Sequence, residues 1–353
     1  MTKNSEIERE LEKLKPAIDK AIERNIPRSF SGKNLERIAG KPRYAHDSES
    51  ITGAIAKPIW NLLDRGGKRL RPALTLMTIE ALGKNPKKFV DFAVIPEVIH
   101  NGTILADDIE DNSEFRRGKP TVHKIYGNDI AINASNAMYF LPLKIIMEST
   151  LEPKKKNELY ETIAQELINV SIGQATDIYW HRGLRKKKAS EKEYMQMCAY
   201  KTGCLMRMAA KIGAILADAT EQQKMVLAEF SEAVGVAFQI QDDILNLTAG
   251  SEYGKEIGGD ITEGKITLMA IHAFRHSPKA ARLKQIIQMH TREKQEVDEA
   301  IRIMKEAGSI EYAERTASQM VSRSWATVEK TIPENPGKRK LKALVGYLIQ
   351  RKR

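Results

Sequence analysis

Cysteine is nearly missing from this chain, with 2 in 353 residues. Cys198 and Cys204 have no histidine cluster near them in sequence. They form neither a disulfide framework nor a zinc site, so a reducing, cytoplasmic setting is expected. Long apolar runs are missing as well. Residues 1–20 are polar and charged, with no apolar segment of the signal-peptide kind. No run of about 18 apolar residues is evident, so no bilayer-spanning helix is predicted, and contact with a membrane surface stays open. Strand signals are almost absent, and no repeat or low-complexity segment stands out. The lack of GxxxxGK[ST] excludes a P-loop. The basic residues are not interleaved with aromatics in any nucleic-acid motif, so no nucleic acid is expected as partner.

What is present is charge and helical periodicity. Lys and Arg number 57 against 46 Asp and Glu, a formal net charge of +11. Such a balance favours anionic partners: nucleic acid, anionic lipid or phosphorylated small molecules. The 42% of hydrophobic residues suffices for a sizeable core. Apolar residues recur at three- and four-residue spacing over 5–25, and long helices are predicted near 53–64, 70–83, 88–112, 128–150, 154–182, 190–218 and 220–247. Shorter ones follow near 265–275, 278–290, 293–307, 309–330 and 337–350. Glycine and proline clusters punctuate them, at Gly66-Gly67 and Pro72, at Gly118 and Pro120, and from Gly250 to Gly264. The pattern predicts an all-α fold in a single domain over 1–353, with a motif-bearing core of about 50–330. The flanks, 1–50 and 331–353, are helices and loops, and 28–50 reads as a mobile loop.

Two acidic clusters end apolar helical runs: Asp107-Asp108-Ile109-Glu110-Asp111 and Asp242-Asp243-Ile244-Leu245-Asn246. On a helix, Asp107 and Asp111 stand four apart and Asp108 and Asp111 three apart, so their carboxylates share a face. Like charges at that spacing repel, and a divalent cation removes the cost. Mg²⁺ suits such a site, taking one or two carboxylates and completing its shell with water and phosphate oxygen. A solvated acidic helix end would look the same for either cluster alone; two in one chain favour metal. In the second cluster Asn246 offers only a neutral oxygen, so Asp242 leads a weaker site. Basic groups follow each cluster, Arg116-Arg117 after the first and Lys255 and Lys265 after the second. A third, Gly66-Gly67-Lys68-Arg69-Leu70-Arg71-Pro72, leads into a helix start, where anions bind. Together these describe a pocket for two diphosphates.

These motifs resemble the trans-isoprenyl diphosphate synthases. The likeness runs from about Trp60 to Lys265 through GGKRLRP (66–72), HN (100–101), DDIEDNSEFRRGKP (107–120), GQATDIYW (173–180), KTG (201–203), FQIQDD (238–243) and DITEGK (260–265). The first acidic segment and DIYW look most like the eukaryotic-type geranylgeranyl diphosphate synthases, which also tend to have Asn where Asn246 stands.

The resemblance implies an isoprenoid synthase fold, a bundle of ten or more helices around a central cavity, and a homodimer. It implies a Mg²⁺-dependent prenyltransferase, with two or three ions per site and Mn²⁺ as a substitute. Isopentenyl diphosphate would be held by Lys68, Arg71, His100 and Arg117, although His100 could equally be a satisfied buried histidine. Metal ligands would be Asp107, Asp108, Asp111 and Asp242, with Asn246 weaker. Arg116, Lys201, Gln239, Lys255 and Lys265 would hold the allylic diphosphate, and Thr202 and Gln239 would offer oxygen dipoles to the forming cation. Product length should follow the residues beneath the first cluster. Small residues at Gly102 and Thr103 would leave the cavity open beyond C15, and Tyr139 and Phe140 would form a deeper floor, giving C20 unless they are ordinary core aromatics. Alternatives are a longer-chain synthase, a class I terpene cyclase, which would not need Lys68, Arg71 and Arg117, and a non-catalytic subunit of a heteromeric synthase.

Overall fold

The computed structural model describes residues 6–248 and 257–349 and divides into two compact units. Unit 1 comprises residues 1–162, 211–219 and 335–337; unit 2 comprises 163–210, 220–334 and 338–353. Helices Pro153–His181 and Cys204–Leu216 contribute residues to both. The architecture is all-α. Among the described residues, the strands are one short antiparallel pair, Phe115–Arg116 with Lys119–Pro120.

In unit 1, helix Val90–Glu110 is buried along most of its length, which fits its near-continuous apolar run. Helix Asn128–Phe140 lies close against it at Gly102. The Ser135 hydroxyl donates to the Gly102 carbonyl at 2.9 Å, and a methyl at Gly102 would stand 3.0 Å from Met138 Cβ and Tyr139 Cε1. Helix Leu70–Ala81 is buried on nearly every side; a methyl at Gly213 would meet the Thr75 carbonyl at 2.7 Å. Asn335 donates to the Ala81 carbonyl at 2.8 Å, satisfying an acceptor left open at that helix end.

In unit 2, helices Glu221–Thr248 and Ser309–Thr331 pack along each other, with Phe230 meeting Trp325 edge-on at 5.3 Å. The predicted helix over 190–218 is interrupted. Glu191–Cys198 gives way to a π-helical turn, Ala199–Gly203, before Cys204–Leu216 resumes. Glycines explain how this wide turn is accommodated. A Cβ at Gly173 would collide with the Lys201 nitrogen and stand 2.6 Å from the Tyr200 carbonyl carbon, and one at Gly235 would be 2.6 Å from Gly203 Cα. Backbone meets backbone on both sides of the turn.

Three expectations change. Residues 28–50 are not all loop. Helix Gly32–Ala39 lies there, started by a capping box at Ser31 and Asn34 and anchored by Leu35. The predicted 128–150 helix breaks at Pro142 into Asn128–Phe140, a 3₁₀ turn and Lys144–Glu148. Two stretches, Pro86–Glu110 and Asn128–Glu148, are long and apolar enough by composition to cross a bilayer, contrary to the sequence reading. The first is 61% buried inside the protein and carries the buried ion pair of Glu97 with Arg69, which marks it as a core helix. Of the basic C-terminal residues, Lys338 is buried and donates to the Glu329 and Ile332 carbonyls, capping helix Ser309–Thr331. Arg351, Lys352 and Arg353 lie outside the described residues.

Candidate active site

Unit 1 carries the first acidic cluster at the C-terminal end of helix Val90–Glu110, with Asp111 as the cap residue. Asp108 is 1% exposed, whereas Asp107 and Asp111 are half-buried. Arg116 grips one Asp108 oxygen, through Nε at 2.8 Å and Nη2 at 2.5 Å, and stands 3.9 Å from Asp107. The other oxygen, Oδ2, is shielded from water and has no hydrogen-bond partner among the described residues. Burial pushes the Asp108 carboxyl above the usual carboxylate range, against the pull of Arg116. A buried, unpartnered carboxylate oxygen fits a cation. Among the described residues, no three acidic, histidine or cysteine side chains converge as a finished cage. Mg²⁺ does not need one, because water and substrate complete its shell.

The cationic residues of unit 1 lie beside this helix. Gly66 and Gly67 take positive φ values of 82° and 148°, and Arg69 is forced into the left-handed region at 51°. Arg69 is held there by Asp19 at 2.8 Å, Glu97 at 3.1 Å and the Leu63 carbonyl. It is the structural anchor of the glycine loop. Arg117 donates to the Gly66 carbonyl and, at 3.4 Å, to Asn101 Oδ1. Lys68 is exposed on the loop, and Arg71 is buried in the first turn of helix Leu70–Ala81 that follows it. His100 Nδ1 is shielded and has no partner among the described residues. Burial, then Arg71, Arg117 and Arg116, hold the ring well below its ordinary pKa, so it is neutral. A satisfied buried histidine is therefore not what stands here.

Unit 2 carries the second cluster. Asp242 is half-buried. Asp243 is 4% exposed and both its oxygens are taken, one by the Tyr194 hydroxyl at 2.7 Å and one by Gln239 Nε2 at 2.8 Å. Burial, with Asp260 and Asp242 nearby, pushes its pKa strongly upward. Asn246 is buried and its Oδ1 accepts the Asp260 amide at 3.1 Å, so the oxygen assigned to metal on sequence grounds already holds backbone. Lys265 pairs with Glu263 at 2.5 Å and Asp260 at 3.4 Å. The π-helical turn presents Lys201 to Asp177 at 2.5 Å and Thr202 to Gln239 Oε1 at 2.8 Å. Lys255 lies outside the described residues.

The chain-length positions need correction. Gly102 does not open a space; helix Asn128–Phe140 fills it, as the 3.0 Å approaches to Met138 and Tyr139 require. Thr103 turns its hydroxyl back to the His100 carbonyl at 2.8 Å. Tyr139 is half-buried against Gly102, but Phe140 is 65% exposed and lines no floor within unit 1. Truncating Tyr139 to alanine is thus expected to shift product toward longer chains, whereas Phe140→Ala leaves length unchanged. Mass spectrometry of the products checks this, and a Tyr139→Ala product of parental length refutes it.

Sequence reasoning missed several supporting residues. Arg65 clamps the Phe115–Pro120 hairpin by donating to the Arg116 carbonyl at 2.9 Å and the Pro120 carbonyl at 2.8 Å, and it holds Asn61 Oδ1 at 2.5 Å. His123, four residues past the hairpin's Lys119, is buried with neither ring nitrogen bonded among the described residues. Asp177 sits inside the DIYW motif, the one signal that could have found it.

The chain belongs to the polyprenyl synthetase family, whose sequence model matches residues 52–304. It is 33% identical to the geranylgeranyl diphosphate synthase of Methanosarcina mazei over 82% of this chain and 87% of that protein. It is 37% identical to a short chain isoprenyl diphosphate synthase of Methanocaldococcus jannaschii, covering 72% of this chain and 76% of that one. Its structure resembles that of a geranylgeranyl pyrophosphate synthetase from Pyrococcus horikoshii, with a TM-score of 0.85, 30% identity and 98% of each chain covered.

Proposed function

We propose that this protein is a Mg²⁺-dependent prenyltransferase that condenses isopentenyl diphosphate with dimethylallyl, geranyl or farnesyl diphosphate, chiefly to geranylgeranyl diphosphate. One observation carries the reading: a shielded, unbonded His100 Nδ1 beside the Arg71 and Arg117 guanidiniums, next to an acidic helix end whose Asp108 keeps an unpartnered oxygen. Cations for one diphosphate and a carboxylate for a metal stand side by side within unit 1.

Lys68, Arg71 and Arg117 supply positive charge for isopentenyl diphosphate, and neutral His100 supplies a ring N–H. Arg116 in unit 1, and Lys201 and Lys265 in unit 2, each sit on a carboxylate that a phosphate oxygen would displace, which suits each of them to the diphosphate role that the family resemblance gives it. Mg²⁺ would be held by Asp107, Asp108 and Asp111 in unit 1 and by Asp242 in unit 2. When bound, it supplies charge neutralisation for diphosphate as this leaves an allylic carbon. Thr202 and Gln239 turn oxygen toward that carbon's developing charge. The names of the Methanosarcina and Pyrococcus relatives support a C20 product, as does Tyr139 packed beneath the first cluster.

The protein works as a homodimer on this reading. Each unit leaves large apolar side chains uncovered: Ile125, Ile132, Phe140 and Met147 on three short helices of unit 1, and Ile168, Ile172 and Tyr179 on helix Pro153–His181 of unit 2. The unit 2 residues, at four- and seven-residue spacing on one helix, have the form of a helix-packing face, and a second copy would cover it. The test is turnover by the purified chain alone with each allylic diphosphate, with product-length analysis and chromatographic sizing. C20 product, loss of at least about 100-fold of rate on chelation of Mg²⁺, and elution at twice the 39.8 kDa chain mass are expected. Absence of any prenyl product sinks the reading; a longer product revises the length; monomeric elution removes the dimer.

A further inference from the structure

Tyr194 is the largest side chain wholly enclosed among the described residues, 1% exposed, on helix Glu191–Cys198. Its hydroxyl is not idle. It donates to Asp243 Oδ2 at 2.7 Å, and the Cys198 thiol one turn on lies within hydrogen-bonding reach of the same hydroxyl. Asp243 in turn accepts Gln239 Nε2 on its other oxygen, at 2.8 Å. The Gln239 amide has two unlike ends, and the –NH₂ end faces Asp243 Oδ1; this donor and the Tyr194 hydroxyl work against the upward push that burial gives the Asp243 carboxyl. The carbonyl end therefore faces Thr202, whose hydroxyl donates to it at 2.8 Å. Having spent its one proton on Gln239, the Thr202 hydroxyl has only lone pairs to offer any other neighbour.

We infer that Tyr194 is a positioning residue: acting through Asp243 and Gln239, it sets the polarity of the Thr202 hydroxyl so that oxygen lone pairs, not a proton, face the carbon that becomes cationic. The inference rests on the prenyltransferase reading above. The relay runs wholly within unit 2, and each link is a hydrogen bond of ordinary length. Tyr194 itself stands one carboxylate and one amide away from Thr202. Without the hydroxyl, Asp243 Oδ2 is left buried without a donor, and the carboxyl turns to recover one. Gln239 then loses the fixed acceptor that held its –NH₂ end. A flipped amide would donate to Thr202 and turn the threonine proton outward, toward developing positive charge, where preorganised dipoles matter most.

The test is a double-mutant cycle of Tyr194→Phe and Thr202→Val, with steady-state kinetics and thermal melting of all four proteins. Phenylalanine keeps the ring and removes only the hydroxyl. In the otherwise unaltered protein, Tyr194→Phe is expected to lower kcat about tenfold while KM for both substrates stays within about twofold. In the Thr202→Val background the same change should cost less than about twofold, because the group it acts through is gone. A kcat within about twofold of the parent overturns the inference. So does an equal loss in both backgrounds, whatever the melting temperature, since that is the signature of a packing defect. If the unaltered protein makes no prenyl product, the prenyltransferase reading itself fails and takes this inference with it.

Discussion

Replacing Asp108 by alanine is expected to lower kcat by at least about 1,000-fold without unfolding the protein. Asp108 spends one oxygen on Arg116 and keeps the other shielded and unpartnered. Alanine removes the oxygen that would hold a cation, and it also releases Arg116 from the position in which Asp108 holds it. The sign of the stability effect follows from the raised carboxyl pKa. A carboxyl that is harder to ionise when folded costs stability at every pH above its folded pKa. Asp108→Asn, which keeps the shape and removes the charge, should therefore melt no lower than the parent at neutral pH while losing activity as fully as alanine. That pairing of lost turnover with undiminished stability is the mark of a residue kept for function. Steady-state kinetics and thermal scans check it. An Asp108→Asn enzyme within about tenfold of parental kcat would sink it.

Gly173→Ala is expected to disturb unit 2 severely. The added carbon would collide with the Lys201 nitrogen and press on the Tyr200 carbonyl carbon. Both neighbours are backbone, so no side chain can swing away; the helix and the π-helical turn must part. Overpacking of this kind costs about 1–3 kcal/mol, and the turn that shifts carries Lys201 and Thr202. We expect a melting point lower by several degrees and a kcat lower by at least about 100-fold. Gly346→Ala is the internal control, since no atom lies within 4 Å of a Cβ there; it should be neutral or slightly stabilising. If Gly173→Ala melts with the parent, the close approach is not a constraint.

The contrast between these residues shows what a sequence can disclose. Helix spans follow from a repeat of apolar residues, which is local, and most of the predicted spans recur here within a few positions. The acidic clusters were legible because both end apolar helical runs. The role of Asp243 was not, because its partner Tyr194 lies 49 residues away and nothing local marks the pair. Gly102 was misread for a related reason. A small residue can mean an opening or a close contact, and only the position of Ser135 and Tyr139 tells which. Phe140 follows Tyr139 on the helix and so points elsewhere, into the solvent. Nothing local marks Arg65, yet its guanidinium serves backbone carbonyls of a hairpin some fifty residues on.

The π-helical turn at Ala199–Gly203 is also a matter of register. Such a turn holds one residue more than the α-helix it interrupts. Removing one of the five would let regular α-helix run from Glu191 to Leu216 with the flanking residues on the faces they hold now, because the wide turn takes one residue more than an α-helix through about the same angle. Helix content would scarcely change, so a circular dichroism spectrum would report an intact protein. What would vanish is the bulge itself, the stretch that carries Lys201 and Thr202. The extra residue is absorbed locally: helix Glu191–Cys198 with Tyr194 and helix Cys204–Leu216 stay in phase, and only the backbone between them is set apart from the rod.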